Sequence, residues 1–396
     1  MARQAAGRVA GWPAAALLAV AFAIAMIGTT LPTPLYPIYQ QAFGFGELLT
    51  TIVFATYAIG VVAALLLMGS WSDHLGRRPM LRAGLVLAAA SAIVFVLADS
   101  TAWLFPGRVL SGLSAGIFTG TATAALVDVA PRGRKARAGL IAAGVNMGGL
   151  GLGPVLAGVL AQYAPGPLRL PYLVHLGLVV VAAIAVECVA EPVGRAHRPR
   201  LRPQRLAVPA EVRPVFVRAA IAGFAGFAVL GLFTAVSPAF LDSVLHNTNR
   251  AVVGALVLAV FAASTAGQVA SARIGDRPAL LAGCAGLIAG MLLVGSSLPT
   301  ASLPLLVTGA IVAGLGQGMG FRAGLTSVTV TVAGPADRRG EIISTYFVVL
   351  YIGIAIPVIG EGAAASAFGL VPAGMAFAAG VAVLAAIALA LLTRRG

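Results

Sequence analysis

Twelve apolar runs of membrane-spanning length, a lopsided placement of arginines and a half-chain internal repeat predict an all-α membrane protein of two six-helix pseudo-repeats. Of its 396 residues, 60% are apolar and 10% charged, and the mean hydropathy is +0.99. A water-soluble domain of this length needs far more charge to cover its surface. Runs of about 20 apolar residues, enough to cross a bilayer core, fall near 14–38, 48–70, 79–98, 102–127, 138–162 and 170–190. A second set falls near 217–241, 251–272, 278–298, 302–331, 341–362 and 369–393. The first run follows Arg3 and Arg8 and reads as an uncleaved helix rather than a signal peptide, because further spans follow it. The 49 glycines would weaken soluble helices, whereas in lipid they let helix backbones approach closely.

The formal charge of +14 would suit a nucleic-acid binder if the basic residues formed one face. They sit instead in the connectors. With a cytoplasmic amino terminus, the inner side holds Arg3 and Arg8; Arg77, Arg78 and Arg82; and Arg132, Arg134, Lys135 and Arg137. It also holds the arginines from Arg195 to Arg218, then Arg273 and Arg277, Arg338 and Arg339, and Arg394 and Arg395. Arg169 and Arg250 fall in outer loops, and Arg108 and Arg322 lie inside spans. This asymmetry predicts a multi-pass protein of a bacterial-type inner membrane with both termini cytoplasmic. The expected partner is the lipid bilayer, not nucleic acid.

The longest polar stretch, Glu191 to Arg218, carries five prolines and seven arginines and reads as a cytoplasmic linker. The expected organisation is a six-helix bundle at 1–190, a linker at 191–216 and a second bundle at 217–396. The halves echo each other in register. Asp73 before Arg77 and Pro79 resembles Asp276 before Arg277 and Pro278; the tract from Arg108 to Gly116 parallels Ala310 to Gly318; Pro154 parallels Pro357. Parallel repeats of this kind place a substrate site between the halves near the bilayer midplane.

Catalytic chemistry finds no foothold. Four histidines, no clustered carboxylates, and two cysteines (Cys188 and Cys284) in separate apolar runs assemble no metal site, nucleophile or disulfide framework. No enzyme activity, cofactor or metal is expected, and no sizeable soluble domain is present to make a receptor.

Gly69-Ser-Trp-Ser-Asp73-His-Leu-Gly76-Arg77-Arg78-Pro79 joins the second and third spans. A glycine turn there presents Asp73 beside guanidinium groups near helix ends, where charge-assisted bonds form. The stretch resembles the signature loop of the major facilitator superfamily. The resemblance implies that fold, a secondary transporter, and a cytoplasmic latch of Gly69, Asp73, Gly76, Arg77 and Arg78 that holds the outward-facing state. The alternative is that these arginines only anchor topology. Arg108, followed by Gly112, resembles the family's intramembrane Arg-x-x-x-Gly motif, which implies a part in proton coupling, with structural pairing as the alternative. An arginine in hydrocarbon costs about 2.5–3.5 kcal/mol on insertion scales and needs an interior partner. Gly149-Leu-Gly-Leu-Gly153-Pro154-Val-Leu-Ala-Gly158 resembles the antiporter motif, with Ala157 in place of one closing glycine. Its proline bends the helix and its glycines make a smooth packing face. That resemblance implies the proton-driven drug and small-molecule exporter branch.

The first span lacks the acidic residue that many drug exporters of this family carry there. Glu187, Asp242 and Glu361 are the other carboxylates near membrane depth, and Glu361, following Pro357 and Gly360, is the leading proton site, an interfacial role being the alternative. His175 reads as a satisfied interior histidine. The resemblance implies that the first, fourth, seventh and tenth helices line a central cavity. Thr30, Thr33, Tyr36, Arg108, Phe233, Ser237, Gln317 and Arg322 are therefore candidate cavity residues, with Asn146 on the fifth helix beside them. Their mixture of aromatic and polar groups suits an amphipathic solute. The predicted function is export of a small amphipathic molecule by alternating access with proton antiport, by a monomer. The carboxylate-free first helix leaves uptake of a sugar, organic acid or other nutrient as the alternative.

Overall fold

The computed structural model describes residues 9–69, 71–131, 133–193, 203–330 and 336–394, with side chains from 340 onward in the last stretch. Arg3, Arg8, Ser70, Arg132, Arg195, Arg198, Arg200, Arg202 and Arg395 lie outside the described residues, as do the side chains of Arg338 and Arg339.

Among the described residues, twelve helices are long and apolar enough to cross a membrane. They are α1 (Gly11–Phe43), α2 (Glu47–Met68), α3 (Arg77–Leu97), α4 (Thr101–Val129), α5 (Lys135–Tyr163) and α6 (Leu170–Cys188). The second set is α7 (Arg213–Val244), α8 (Arg250–Ile274), α9 (Asp276–Ser297), α10 (Leu303–Val330), α11 (Gly340–Phe368) and α12 (Leu370–Thr393). Each expected span is present, and several ends extend past the apolar run. Helix α7 starts at Arg213 rather than 217 because Pro214 sits in its first turn, where a fixed φ and a missing N–H suit a helix start. Helix α11 runs to Phe368, beyond the expected 362.

Chain direction alternates, which puts the amino terminus, the even-numbered helix ends and the linker on one face. There the backbone N–H of Val9 donates to Cys188 (2.9 Å), and that of Gln204 donates to Leu66 (2.7 Å). This side is called the linker face, and the opposite one the far face. Within the first six helices, α4 packs on α2 and α3 while α1 packs on α5 and α6; the second six repeat the pattern, with α10 on α8 and α9. Packing between the halves concentrates in two pairs, α5 with α8 and α2 with α11.

Close approach of these helices requires small residues. A Cβ at Gly254 would meet the Pro154 carbonyl at 2.5 Å, so α5 and α8 touch backbone to backbone. Large side chains fill the space elsewhere: Phe95 stacks on Tyr172 at 4.8 Å, and the Tyr39 hydroxyl donates to that of Tyr172 at 3.3 Å. The outer surface is apolar, with Ile59, Val86 and Ile356 each more than half exposed. In water that belt would drive aggregation; in lipid it faces a matching solvent. Burial separates the roles of the helices, because 89% of the apolar window of α7 is buried against 28% for α12. Helix α7 is central and α12 peripheral.

Candidate functional site

Two broken helices shape the centre. In α1 the α-helical segment ends at Thr30, and a 3₁₀ turn at Thr33–Leu35 follows Pro32 before the helix resumes at Tyr36. Pro32 and Pro34 carry no N–H, so carbonyls in the last turn before the break lack their helical donors. In α7, π-turns at Leu232–Val236 and Phe240–Val244 flank Pro238. Such turns splay a helix and recur at functional sites.

A cavity of about 70 Å³ lies between the halves beside these breaks. Its first-half wall includes Thr30, Tyr57, Arg108 and Asn146; the second half contributes Phe227, Phe261, Phe321, Phe347 and Tyr351. The Arg108 side chain is 2% exposed. Its Nη1 donates to the carbonyl of Thr29 at 2.6 Å and its Nη2 to that of Phe54 at 3.3 Å. The guanidinium also lies 4.8 Å from the Tyr57 ring centroid and 5.4 Å from that of Phe54. The negative end of the α1 dipole and two aromatic faces therefore hold this charge, with no described carboxylate bonded to it. Asn146 Oδ1 is buried without a hydrogen-bond partner among the described residues. A cavity of this size takes water, not a drug-sized solute, which needs about 300–1,000 Å³. Binding such a solute requires the halves or the rings to move apart.

Of the sequence-predicted cavity residues, Thr30, Arg108 and Asn146 line it. The hydroxyl of Thr30 donates across to the Leu150 carbonyl at 2.8 Å. Thr33, Tyr36, Phe233 and Ser237 are buried but do not line it, because they follow the break in α1 or occupy the splayed part of α7. Gln317 is spent on α8, where its Oε1 accepts from the Ser264 hydroxyl at 2.5 Å. Arg322 is half-buried on α10 and not part of the lining, although its neighbour Phe321 is. The aromatic wall was missed. Its signal lay in Phe347 and Tyr351, four apart on α11, and Phe54 and Tyr57, three apart on α2, which are one-face spacings.

The glycine-rich tract of α5 works on two sides. Gly149 and Gly153 press against α1, where a Cβ at Gly149 would meet Met26 at 2.6 Å. Pro154 and Gly158 press against α8, and a Cβ at Gly158 would collide with the Arg250 carbonyl. The tract thus closes the far face beside the cavity. Gly362 of α11 packs on Thr51 of α2 and closes the second seam.

On the linker face, Gly76 adopts φ +100°, a region that favours glycine, and turns the chain into α3. Gly275 repeats this turn at φ +88° before α9, as the internal repeat expects. Arg77 bonds Asp73 (2.6 Å), Asp128 at the end of α4 (3.0 Å) and the Ser72 hydroxyl (2.6 Å). Glu191 caps α3 by accepting from the backbone N–H groups of Arg77 (2.8 Å) and Arg78 (2.9 Å). Glu187, read from sequence as a membrane-depth carboxylate, bonds Arg78 at 2.5 Å and also pairs with Arg82 at the end of α6. No described partner of Asp73 or Arg77 belongs to the second half; all lie in the first six helices and their connectors except Glu191, just after α6. Asp128, Glu187 and Glu191 were not foreseen as partners, yet Glu187 and Glu191 share a four-residue spacing with Arg78 and Arg82.

Glu361 stands apart from Arg108. It is 3% exposed, neither carboxylate oxygen has a hydrogen-bond partner among the described residues, and it lines a groove between α11 and α12 rather than the central cavity. Asp242 lies 3.8 Å from Arg250, and His175 Nε2 sits 3.0 Å from the Ile24 carbonyl.

Twelve membrane-crossing helices in two like halves around one central cavity define a multi-pass membrane transporter rather than an enzyme. The profile of the Major Facilitator Superfamily matches residues 18–358, and the chain belongs to that family. Multidrug resistance protein 2 of Bacillus subtilis is 24% identical over 162 residues, which cover 41% of this chain and 40% of that protein. Quinolone resistance protein NorA of Staphylococcus aureus is 28% identical over 159 residues, 40% of each chain. The matches thus span about two-fifths of these relatives. Among solved structures, a bacterial homolog of the human lysosomal transporter Spinster, inward-facing and unoccupied, superposes with a TM-score of 0.72 at 18% identity, covering 96% of this chain and 95% of that one. The human organic anion transporter MFSD10 superposes with a TM-score of 0.68 at 17% identity, covering 96% and 99%.

Proposed function

We propose that this transporter exports an amphipathic, aromatic-bearing small molecule by alternating access, with the linker face cytoplasmic and protons moving inward. The observation that carries this reading is the two-walled central cavity: Arg108 and Asn146 offer polar anchors on one half, and five aromatic rings offer a stacking surface on the other. A solute with a flat apolar body and an acceptor or anionic group matches both walls. The closed α5–α8 and α2–α11 seams leave the linker face as the side of entry. The two six-helix bundles, 1–190 and 217–396, rock as units about these seams, and the 191–216 linker joins them. Asp73, Arg77 and Arg78, with Gly69 and Gly76, brace the first bundle at the face that must open and close. Glu361 takes up the proton beside the α2–α11 seam, since its neighbour Gly362 packs on Thr51. The limited matches to multidrug and quinolone resistance proteins favour export of drug-like molecules.

The test is norfloxacin movement into inverted vesicles containing the full chain. Accumulation that collapses with the proton gradient supports proton antiport; accumulation indifferent to it rejects antiport. Arg108, bonded to no carboxylate among the described residues, favours a second reading, uptake of an organic acid. Protein-dependent accumulation of a carboxylate such as lactate in intact cells selects that reading instead.

A further inference from the structure

We propose that the first bundle holds a single internal water on Nδ1 of His175, and that this hydrated histidine positions the α1 carbonyl that receives Arg108. A small chamber of about 10 Å³, room for one water molecule, lies among α1, α3, α4 and α6. His175 of α6 lines it and is 2% exposed. Its Nε2 sits 3.0 Å from the Ile24 carbonyl. A carbonyl only accepts, so in the neutral ring Nε2 carries the proton and Nδ1 presents a lone pair. Nδ1 is buried without a hydrogen-bond partner among the described residues. The hydroxyls lining the chamber do not supply one. Thr29 donates to Met26 (2.8 Å), Ser91 to Gly107 (2.8 Å), Ser111 to Arg108 (3.1 Å) and Ser114 to Gly84 (2.8 Å), each to a backbone carbonyl. The Tyr172 hydroxyl is paired with that of Tyr39. The chamber therefore offers acceptors to whatever fills it.

Leaving a buried acceptor without a donor is costly, and a polar site with several acceptors suits a guest that donates twice. Water does so, giving one O–H to Nδ1 and the other to a hydroxyl oxygen. Two rivals fit less well. Ammonium or sodium would lie close to the Arg108 guanidinium, whose Nη1 donates to the carbonyl of the lining residue Thr29 at 2.6 Å. Like charges repel far more strongly at low dielectric than in water. The same charge disfavours a second proton on His175. The site bears on Arg108 through α1. His175 bonds Ile24, and its ring fills the space over Gly28, where a Cβ would collide with it. Gly28 immediately precedes Thr29, whose carbonyl accepts from Arg108. The water ties His175 to the hydroxyl wall, and the ring in turn sets where that carbonyl stands. This role concerns the packing of the first bundle and is independent of the direction and coupling proposed above.

The test places the full chain, isotope-labelled at its histidine nitrogens, in phosphatidylcholine bilayers for water-edited solid-state NMR, with the His175 signals assigned by their loss in His175→Phe. Nδ1 should be unprotonated at neutral pH and should receive magnetisation from water. Ala92→Val, which crowds the chamber while keeping every polar liner, should cut that transfer about fivefold or more and leave that of the exposed His246 unchanged. A protonated Nδ1, no transfer in the wild type, or transfer undiminished by Ala92→Val overturns the water site. If Ala92→Val fails to fold, Ala88→Val decides. Positioning is read from thermal melts in the same lipid. The shift of the His175→Phe and Arg108→Met double variant should fall short of the sum of the single shifts by about 2 °C or more, because each change removes one end of the same support. His175→Gln, which keeps a donor for Ile24, should recover part of the loss. Additive shifts, or no recovery with glutamine, overturn the positioning role. Neither readout uses transport, so a negative result here leaves central-cavity export standing, and failed export leaves this site standing.

Discussion

Replacing Arg108 by methionine separates a site residue from a scaffold residue. Methionine keeps much of the length and volume but removes the charge, the bonds to the Thr29 and Phe54 carbonyls, and the stacking on two rings. Hydrogen bonds to a charged group contribute about 1.5–3 kcal/mol each, and the ring contacts about 0.5–2 kcal/mol. Against this, the variant no longer carries a charge that costs about 2.5–3.5 kcal/mol at membrane depth. The difference is a destabilisation of about 0–5.5 kcal/mol. Typical stabilities are about 5–15 kcal/mol, so Arg108→Met stays mostly folded at about 20 °C with a lowered melting temperature. Transport should nevertheless fall at least tenfold. Arg108→Lys, which retains the charge without the two-pronged geometry, should keep an intermediate rate. The assay is norfloxacin uptake into inverted vesicles at equal protein density, paired with a dye-based thermal melt. Arg108→Met transporting at more than about half the wild-type rate would refute the reasoning and reduce Arg108 to packing.

Other perturbations address the seams, the latch and the proton. Gly158→Val drives a side chain into the Arg250 backbone; it should hold the far face open and raise labelling of a cysteine placed there, and unchanged labelling would count against the seam. Arg77→Ala leaves Asp73 and Asp128 without their described cation; together with Asp73→Asn it should cut transport several-fold while the protein still reaches the membrane, and normal rates in both would dismiss the latch. For wild type, efflux should quicken as the outer pH falls from about 7.5 to about 6, because protonation precedes inward passage. Glu361→Gln should flatten that profile. Glu47→Gln, at the start of α2 and outside the α11–α12 groove, serves as the control that leaves the profile in place. A pH profile unchanged by Glu361→Gln discards Glu361 as the proton site.

Apolar run length and arginine placement made the twelve spans legible, because lipid forces every crossing segment to satisfy its own backbone. Helix ends were less legible, since polar residues such as Arg213 extend a helix into the headgroup zone without adding hydropathy. Arg108 was found because a buried charge is conspicuous in an apolar run. Its partners were not, since they are backbone carbonyls, of Thr29 beside the break in α1 and of Phe54 within α2, and no side-chain pattern marks a carbonyl. Thr33, Tyr36, Phe233 and Ser237 were cavity candidates because the family resemblance puts the first and seventh helices on the cavity, which does not say which stretch of each helix faces it. The 3₁₀ turn in α1 and the π-turns in α7 set which residues of these helices face the cavity. Phe227, Phe321 and Phe347 were overlooked because aromatic residues on membrane helices face lipid and interior alike.

The segment joining the bundles does more than connect them. Gln204 reaches the Leu66 carbonyl of α2 through its backbone and Ser344 of α11 through its side chain, while the backbone N–H of Ala207 donates to the Thr345 hydroxyl at 3.1 Å. This short stretch is a clasp buttoned to both leaves of the molecule on the face where they separate. In the alternating-access cycle proposed above, parting the leaves would undo one fastening, at about 1 kcal/mol for each bond, and the amino acids around Gln204 would then tune how readily the mouth gapes without touching any cargo.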